Sequence, residues 1–242
     1  MWLGSYTLPM ARERFQDNLR LVLGVTGGLL VLFLLAELLL RKSRDFQPDF
    51  LASALLYGLF SGVLADYEGR NAIVRGEPGS QRSAMVFGEY FPNPALGTDA
   101  AAFAKVTHTQ AFAAELVGTA LLVFFIFAVT DLRNRSRPDG TLYAPAIGVT
   151  VAIVISIIAP LTQAGLNPAR DFGPRLFSLL IGFGAIAIPG PRGGFFTVYI
   201  LAPILGGLAG AAAWQYLLRP AQLETLSRES QTAELSETES IS

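Results

Sequence analysis

The residues best suited to chemistry lie together in Leu166-Asn167-Pro168-Ala169-Arg170-Asp171-Phe172-Gly173-Pro174-Arg175. Their order reads as the start of a helix. Asn167 is a good N-cap. Pro168 fits the first helical position because its φ is fixed near the helical value and its missing N–H would have no partner there. Asp171, in the first turn, complements the positive helix end. Begun at membrane depth, such a helix presents about half an elementary positive charge, and Arg170 adds to it. That field repels cations and protons, while the Asn167 amide and the guanidinium can donate hydrogen bonds to neutral hydroxyls.

A second ionisable group, Glu115, sits inside a long apolar run. Burying a charge there costs at least about 2.5 to 3.5 kcal/mol on insertion scales, so it is a functional candidate by default. Glu37 lies at the end of another apolar run and can reach the interface. His108, the only histidine, stands at a helix start without partners that would make it a metal ligand or general base. No nucleophile and base pair or metal cluster is visible, which argues against an enzyme and implies no cofactor and no metal. With zero cysteines there are no disulfides, haem thioether links or thiolate sites.

The elements that must position these residues are membrane helices. Hydrophobic residues make up 52% of the chain and charged ones 15%, against roughly 25% charged in an average soluble domain. The charges cluster in short segments such as Arg41, Lys42, Arg44 and Asp45. The pattern predicts an all-α, polytopic membrane protein. Its net charge of -1 leaves no basic field for nucleic acid.

A bilayer core of about 30 Å needs roughly 20 apolar residues in a helix. Five windows qualify: Leu19–Leu40, Phe50–Ala65, Gln110–Thr130, Tyr143–Pro160 and Phe195–Leu218. The first is too long for a signal peptide and is followed by basic rather than small residues. The stretch Leu161–Ile186 is apolar but broken by Pro168, Gly173 and Pro174. It reads either as a re-entrant half-helix lining a cavity or as an extramembrane loop. Small residues recur four apart at Gly24/Gly28, Gly58/Gly62, Ala114/Gly118 and Gly206/Gly210, the spacing of close helix packing. Trp214 and Tyr216 read as interface anchors. Residues 1–18 form an N-terminal segment and 19–218 the transmembrane domain. The acidic tail 219–242, rich in Ser, Thr and Glu, is expected to be disordered. Arg133, Arg135 and Arg137 place their loop in the cytoplasm, and alternation then brings the C-terminus there too.

The segment Leu166–Arg175 resembles the second NPA box of the aquaporin superfamily, and Asp171 after Arg170 is similar to the glycerol-conducting branch, the aquaglyceroporins. The likeness extends through Gln110-Ala111-Phe112-Ala113-Ala114-Glu115, Leu132-Arg133 and Pro160-Leu161-Thr162. Upstream it takes in Leu56-Tyr57-Gly58-Leu59 and Ile73-Val74-Arg75-Gly76, so that it covers about Phe50 to Leu218. It implies a re-entrant half-helix within an aquaporin-like bundle. Asn93-Pro94-Ala95 repeats the triplet, but it follows Tyr90-Phe91-Pro92 where glycerol channels carry a similar external stretch. The expectation is a surface turn.

That family is built from inverted repeats, each with three helices and an NPA half-helix. Here the second repeat, about 107–218, is whole. The connector Arg41–Asp49 is too short for a helix plus a box, so the first NPA box and one span are expected to be missing. Glycerol channels set an aromatic residue three positions before the second-box Asn, and this chain has Ala164.

The resemblance assigns the pore box to Asn167, Pro168 and Ala169, and selectivity with the charge barrier to Arg170, Ala164 and Ile155. Support of the pore loop falls to Glu115, Gln110 and Asp171, with Glu115 holding the backbone of Leu161–Asn167. It implies a passive plasma-membrane channel for glycerol, water or similar neutral solutes, assembled as a homo- or hetero-oligomer, in the family a tetramer. The rival expectation is a non-conducting or regulatory subunit that assembles with full-length aquaporins.

Overall fold

The computed structural model describes residues 46–222 and, beyond them, 224, 225, 228 and 231. The expected span Leu19–Leu40, the segment 1–18 and the Gly24/Gly28 pair lie outside the described residues. All described elements are helices, turns or loops, with no strand among them.

Helix α1 covers Phe46–Arg70. It outruns the apolar window Phe50–Ala65 at both ends, and an exposed i,i+4 pair, Arg70 to Asp66 at 2.5 Å, lies in its last turn. The short helices α2, Gln81–Ala84, and α3, Ala100–Lys105, lie in the following connection. Helix α4 spans His108–Thr130 and opens on a reciprocal cap, in which the Thr107 side chain accepts from the Gln110 N–H and the Gln110 side chain accepts from the Thr107 N–H. Helix α5 runs over Tyr143–Thr162 and stops where Gln163 turns left-handed, at φ 64°.

Helix α6, Pro168–Ser178, is short and capped by Asn167. Irregular turns follow it to Ile186. The last helix, α7, extends over Phe195–Gln222, with widened turns at Phe195–Leu201 and Trp214–Leu218. The boundary expected after Leu218 therefore falls inside a helix. Glu224, Thr225, Arg228 and Gln231 of the expected tail are also helical, with Arg228 paired to Glu224 at 2.6 Å.

Among the described residues α1, α4, α5 and α7 are long and apolar enough to cross a membrane. Large apolar side chains such as Leu55, Leu59, Val149, Ile157 and Leu208 point outward, as lipid-facing residues do. The protein is an integral, multi-pass, all-α membrane protein.

Packing between α4 and α7 depends on absent side chains. A methyl at Gly206 or Gly210 would press into the backbone carbonyls of Leu116 and Ala120, so the helices cross at backbone contact. Gly118 lets Ile158 and Leu166 close on α4, where an added Cβ would lie 2.6 Å from Ile158 Cδ1. At Gly58 and Gly62 an added Cβ would meet nothing within 4 Å, so this pair makes no helix contact among the described residues.

Trp214, expected as an interface anchor, turns inward beside the end of α4. It is buried, edge-on to Phe124 with centroids 5.8 Å apart, and its indole N–H donates to Asp131 Oδ2 at 3.1 Å. Asp131 terminates α4, and Arg219 approaches the same oxygen at 3.8 Å. A buried donor with a carboxylate in reach takes it in preference to water. Tyr216 is exposed.

Candidate functional site

The site is the start of α6 and the loop that delivers the chain to it. Asn167 Oδ1 accepts the Ala169 N–H at 3.0 Å, and Pro168 follows as the first helical residue. The approach loop is unusual in its backbone. Gln163, Ala164 and Leu166 have positive φ of 64°, 63° and 57°, and each such residue costs of order 1 to 3 kcal/mol unless its surroundings hold it.

Glu115 supplies that hold from α4. Its Oε1 accepts the Gly165 N–H at 2.9 Å and its Oε2 the Leu166 N–H at 2.7 Å. Because each peptide is planar, the Ala164 and Gly165 carbonyls of the same two peptides point away from Glu115. Two further bonds fix the ends of the loop: Tyr199 donates to the Thr162 carbonyl at 3.0 Å, and Thr119 to the Leu166 carbonyl at 3.3 Å. Gly165 has no room for a side chain, since a Cβ would lie 2.8 Å from the Tyr199 ring.

The other expected residues divide. Asn167 and Arg170 are exposed, and the Arg170 guanidinium pairs with Glu89 of the connection after α1. Asp171 is buried, but it binds the Glu89 N–H at 2.7 Å and Arg175 Nε at 2.5 Å rather than the loop before Asn167. It supports the site by fastening the connection after α1 to α6. Gln110 does not reach the loop at all. It is spent on the α4 cap with Thr107, a role its position three residues after a threonine explains.

Ala164 is 2% exposed and packs with Val154, Ile158 and Leu166, because its left-handed backbone turns the methyl into that cluster. It does not stand on an open surface as a filter residue would. Ile155 lies outside the cluster and is partly exposed on α5. Asn93 caps a tight turn over Pro94–Leu96, as the composition suggests, yet its amide also donates to the Ala159 carbonyl at 3.0 Å and pins the turn to α5. His108 Nε2 lies 2.6 Å from Thr197 Oγ1, a structural contact.

Sequence reasoning missed several residues. Arg175 is 1% exposed, bonded to Asp171, to the Ala187 carbonyl at 2.7 Å and to the Glu89 carbonyl, with the rings of Tyr90, Phe195 and Tyr199 within 4.7 to 5.0 Å. Its i,i+4 spacing from Asp171 was the available signal. Gln163 accepts the Tyr90 N–H at 2.9 Å. Arg75 bridges Glu68 at 3.0 Å, Tyr57 at 3.0 Å and the Ile181 carbonyl at 3.1 Å.

Two carboxyls outside the spans are perturbed. Burial raises Glu89 to about 7 against the opposing pull of Arg170. The Arg133 backbone N–H leads the groups that hold Asp131 below its ordinary value, with the Trp214 indole and the charges of Arg219 and Arg133 adding to it.

Residues 48–216 match the family model described as Major intrinsic protein. A glycerol uptake facilitator protein of Pseudomonas aeruginosa is 42% identical over 170 residues, which cover 70% of this chain and 57% of that relative. The glycerol uptake facilitator protein of Escherichia coli is 39% identical over 170 residues, 70% of this chain and 56% of that one. The chain thus spans a little over half the length of these relatives. Among solved structures, the aquaglyceroporin from Plasmodium falciparum shares the fold, with a TM-score of 0.55, 20% identity, and coverage of 72% of this chain and 61% of that one.

Proposed function

The chain belongs to the major intrinsic protein family, and on that premise we propose that it forms a passive membrane path for small uncharged solutes, glycerol and water among them. The observation that carries this reading is the start of α6. There an exposed Asn167 and a half-exposed Arg170 stand at the positive end of a helix, after a loop anchored on Glu115. Fixed donors of this kind suit hydroxyl solutes, and the positive end disfavours cations. The names of the relatives point to the same substrate class.

The exposure of Asn167 and Arg170 favours a second element of the proposal, association with further chains, homo- or hetero-oligomeric. Among the described residues Asn167 and Arg170 stay exposed, and a charge at membrane depth without a water-filled path costs several kcal/mol, which supports a cover beyond the described residues. The basic loop 131–139 is proposed to face the cytoplasm of a plasma membrane, with the end of α7 on the same side. Under the rival reading the same open face docks on a full-length relative and the chain alone conducts nothing.

Stopped-flow light scattering on proteoliposomes, with glycerol and then water gradients, tests this. Permeability above that of empty vesicles supports the channel. Permeability equal to empty vesicles, in a preparation that is folded and membrane-inserted, refutes it for the chain by itself.

A further inference from the structure

Glu89 is held more tightly than any residue of a connecting segment needs to be. Gly88 brings the chain against α6, where a Cβ would lie 2.7 Å from Arg175 Cγ. The Glu89 N–H then donates to Asp171 Oδ1 at 2.7 Å, and its carbonyl accepts from Arg175 Nη2. The next N–H, of Tyr90, donates to Gln163 at 2.9 Å. With the backbone fixed on both sides, the side chain is aimed at one target, Arg170 Nη1. The carboxylate is 9% exposed, whereas the arginine it grips is 48% exposed. A buried acceptor thus holds a guanidinium that is about half exposed.

We propose that Glu89 is a specificity-determining residue of this site, its carboxylate fixing where the Arg170 guanidinium stands and how much uncompensated positive charge a passing solute meets. The inference rests on the channel reading above. While the pair is intact, the mouth is close to neutral on balance. It offers the remaining N–H donors to hydroxyls without attracting anions. Without the carboxylate, the helix end and an unpaired guanidinium act together, and small anions are drawn in.

The charged and titratable groups around Glu89 are Arg170, Asp171 and Arg175 from α6, Tyr90 beside it and Tyr199 from α7. Burial raises Glu89 to about 7 in this setting. Acidification through neutrality therefore has the same effect as removing its charge.

The test compares the full chain with Glu89→Gln in proteoliposomes, reading glycerol flux by light scattering and iodide flux by fluorescence quenching between about pH 5.5 and 8.5. In the native chain, iodide flux relative to glycerol is expected to rise as pH falls through about 7. In E89Q the ratio should be high and flat with pH. At alkaline pH it should exceed the native ratio about fivefold or more, the worth of one charge at about 4 Å even in bulk water. Should E89Q fail to fold, Glu89→Asp, which shortens the reach to Arg170, is expected to give an intermediate ratio that still titrates. A conducting native chain whose variants keep its ratio and pH profile overturns this inference and leaves the channel standing. A native chain that conducts nothing overturns the channel reading, and this inference with it.

Discussion

Replacing Glu115 by alanine removes the one carboxylate that satisfies two buried backbone N–H groups, those of Gly165 and Leu166 at 2.9 and 2.7 Å. Hydrogen bonds to a charged group are each worth about 1.5 to 3 kcal/mol, and the orphaned donors belong to buried residues. The pair therefore amounts to about 3 to 6 kcal/mol. The loop that loses them carries three non-glycine residues at positive φ, so it has a lower-energy conformation to relax into once released. For a chain of this size such a loss lowers the melting temperature on the order of 10 °C. Glu115→Gln keeps one acceptor oxygen and turns an NH2 toward the other N–H, so it should lose about half of this or more. Thermal recovery on size-exclusion chromatography in mild detergent measures the stability. Glycerol flux in proteoliposomes reports the loop, and it should fall further than stability alone accounts for. An alanine variant melting within about 2 °C of the native chain, with undiminished flux, would refute the assignment of the loop's conformation to Glu115.

Gly210→Leu should prevent folding or cost more than about 3 kcal/mol, because the side chain enters the Ala120 carbonyl of α4. Gly58→Leu, at a site with nothing within 4 Å, should leave the detergent melting temperature unchanged, and equal effects at the two sites would contradict the packing. Arg175→Met strands Asp171 in a buried setting and should cost about 3 to 5 kcal/mol in the same assay; Arg175→Lys should not restore it, since a point charge cannot reach Asp171, Ala187 and Glu89 together. The lowered value of Asp131 fixes the sign of its pH effect. Its contribution is present above the ordinary carboxylate value and is lost only as pH falls through its lowered value. In a Trp2→Phe background, Trp214 fluorescence should be constant from about pH 8 to 5 and change below about pH 4; a transition near pH 6 would show that another group controls the contact.

Several features were legible from the residues because they depend on neighbours in the chain. The apolar windows fixed α4 and α5 to within a few residues, since span length is set by the bilayer and not by the rest of the fold. The start of α6 at Asn167-Pro168 was equally local, a cap and a ring whose preferences act within one turn. Glu115 stood out because a charge inside an apolar run must have a partner. Other features were decided by packing alone. Gln110 and Glu115 lie five positions apart on one helix, yet one caps the helix end and the other holds the loop, because only Glu115 faces α5 and α6.

Ala164 left the open surface when its backbone turned left-handed, a conformation its residue type disfavours and Glu115 enforces one residue later. Trp214 turned inward to a carboxylate 83 positions away. Glu89 met Arg170 across 81 positions with no motif to announce it. Local backbone preferences are written in adjacent residues, so the sequence by itself determined the spans α4 and α5 and the start of α6. Which side chain answers which across the bundle is set by helix crossings at Gly118, Gly206 and Gly210, and only the tertiary structure decided that.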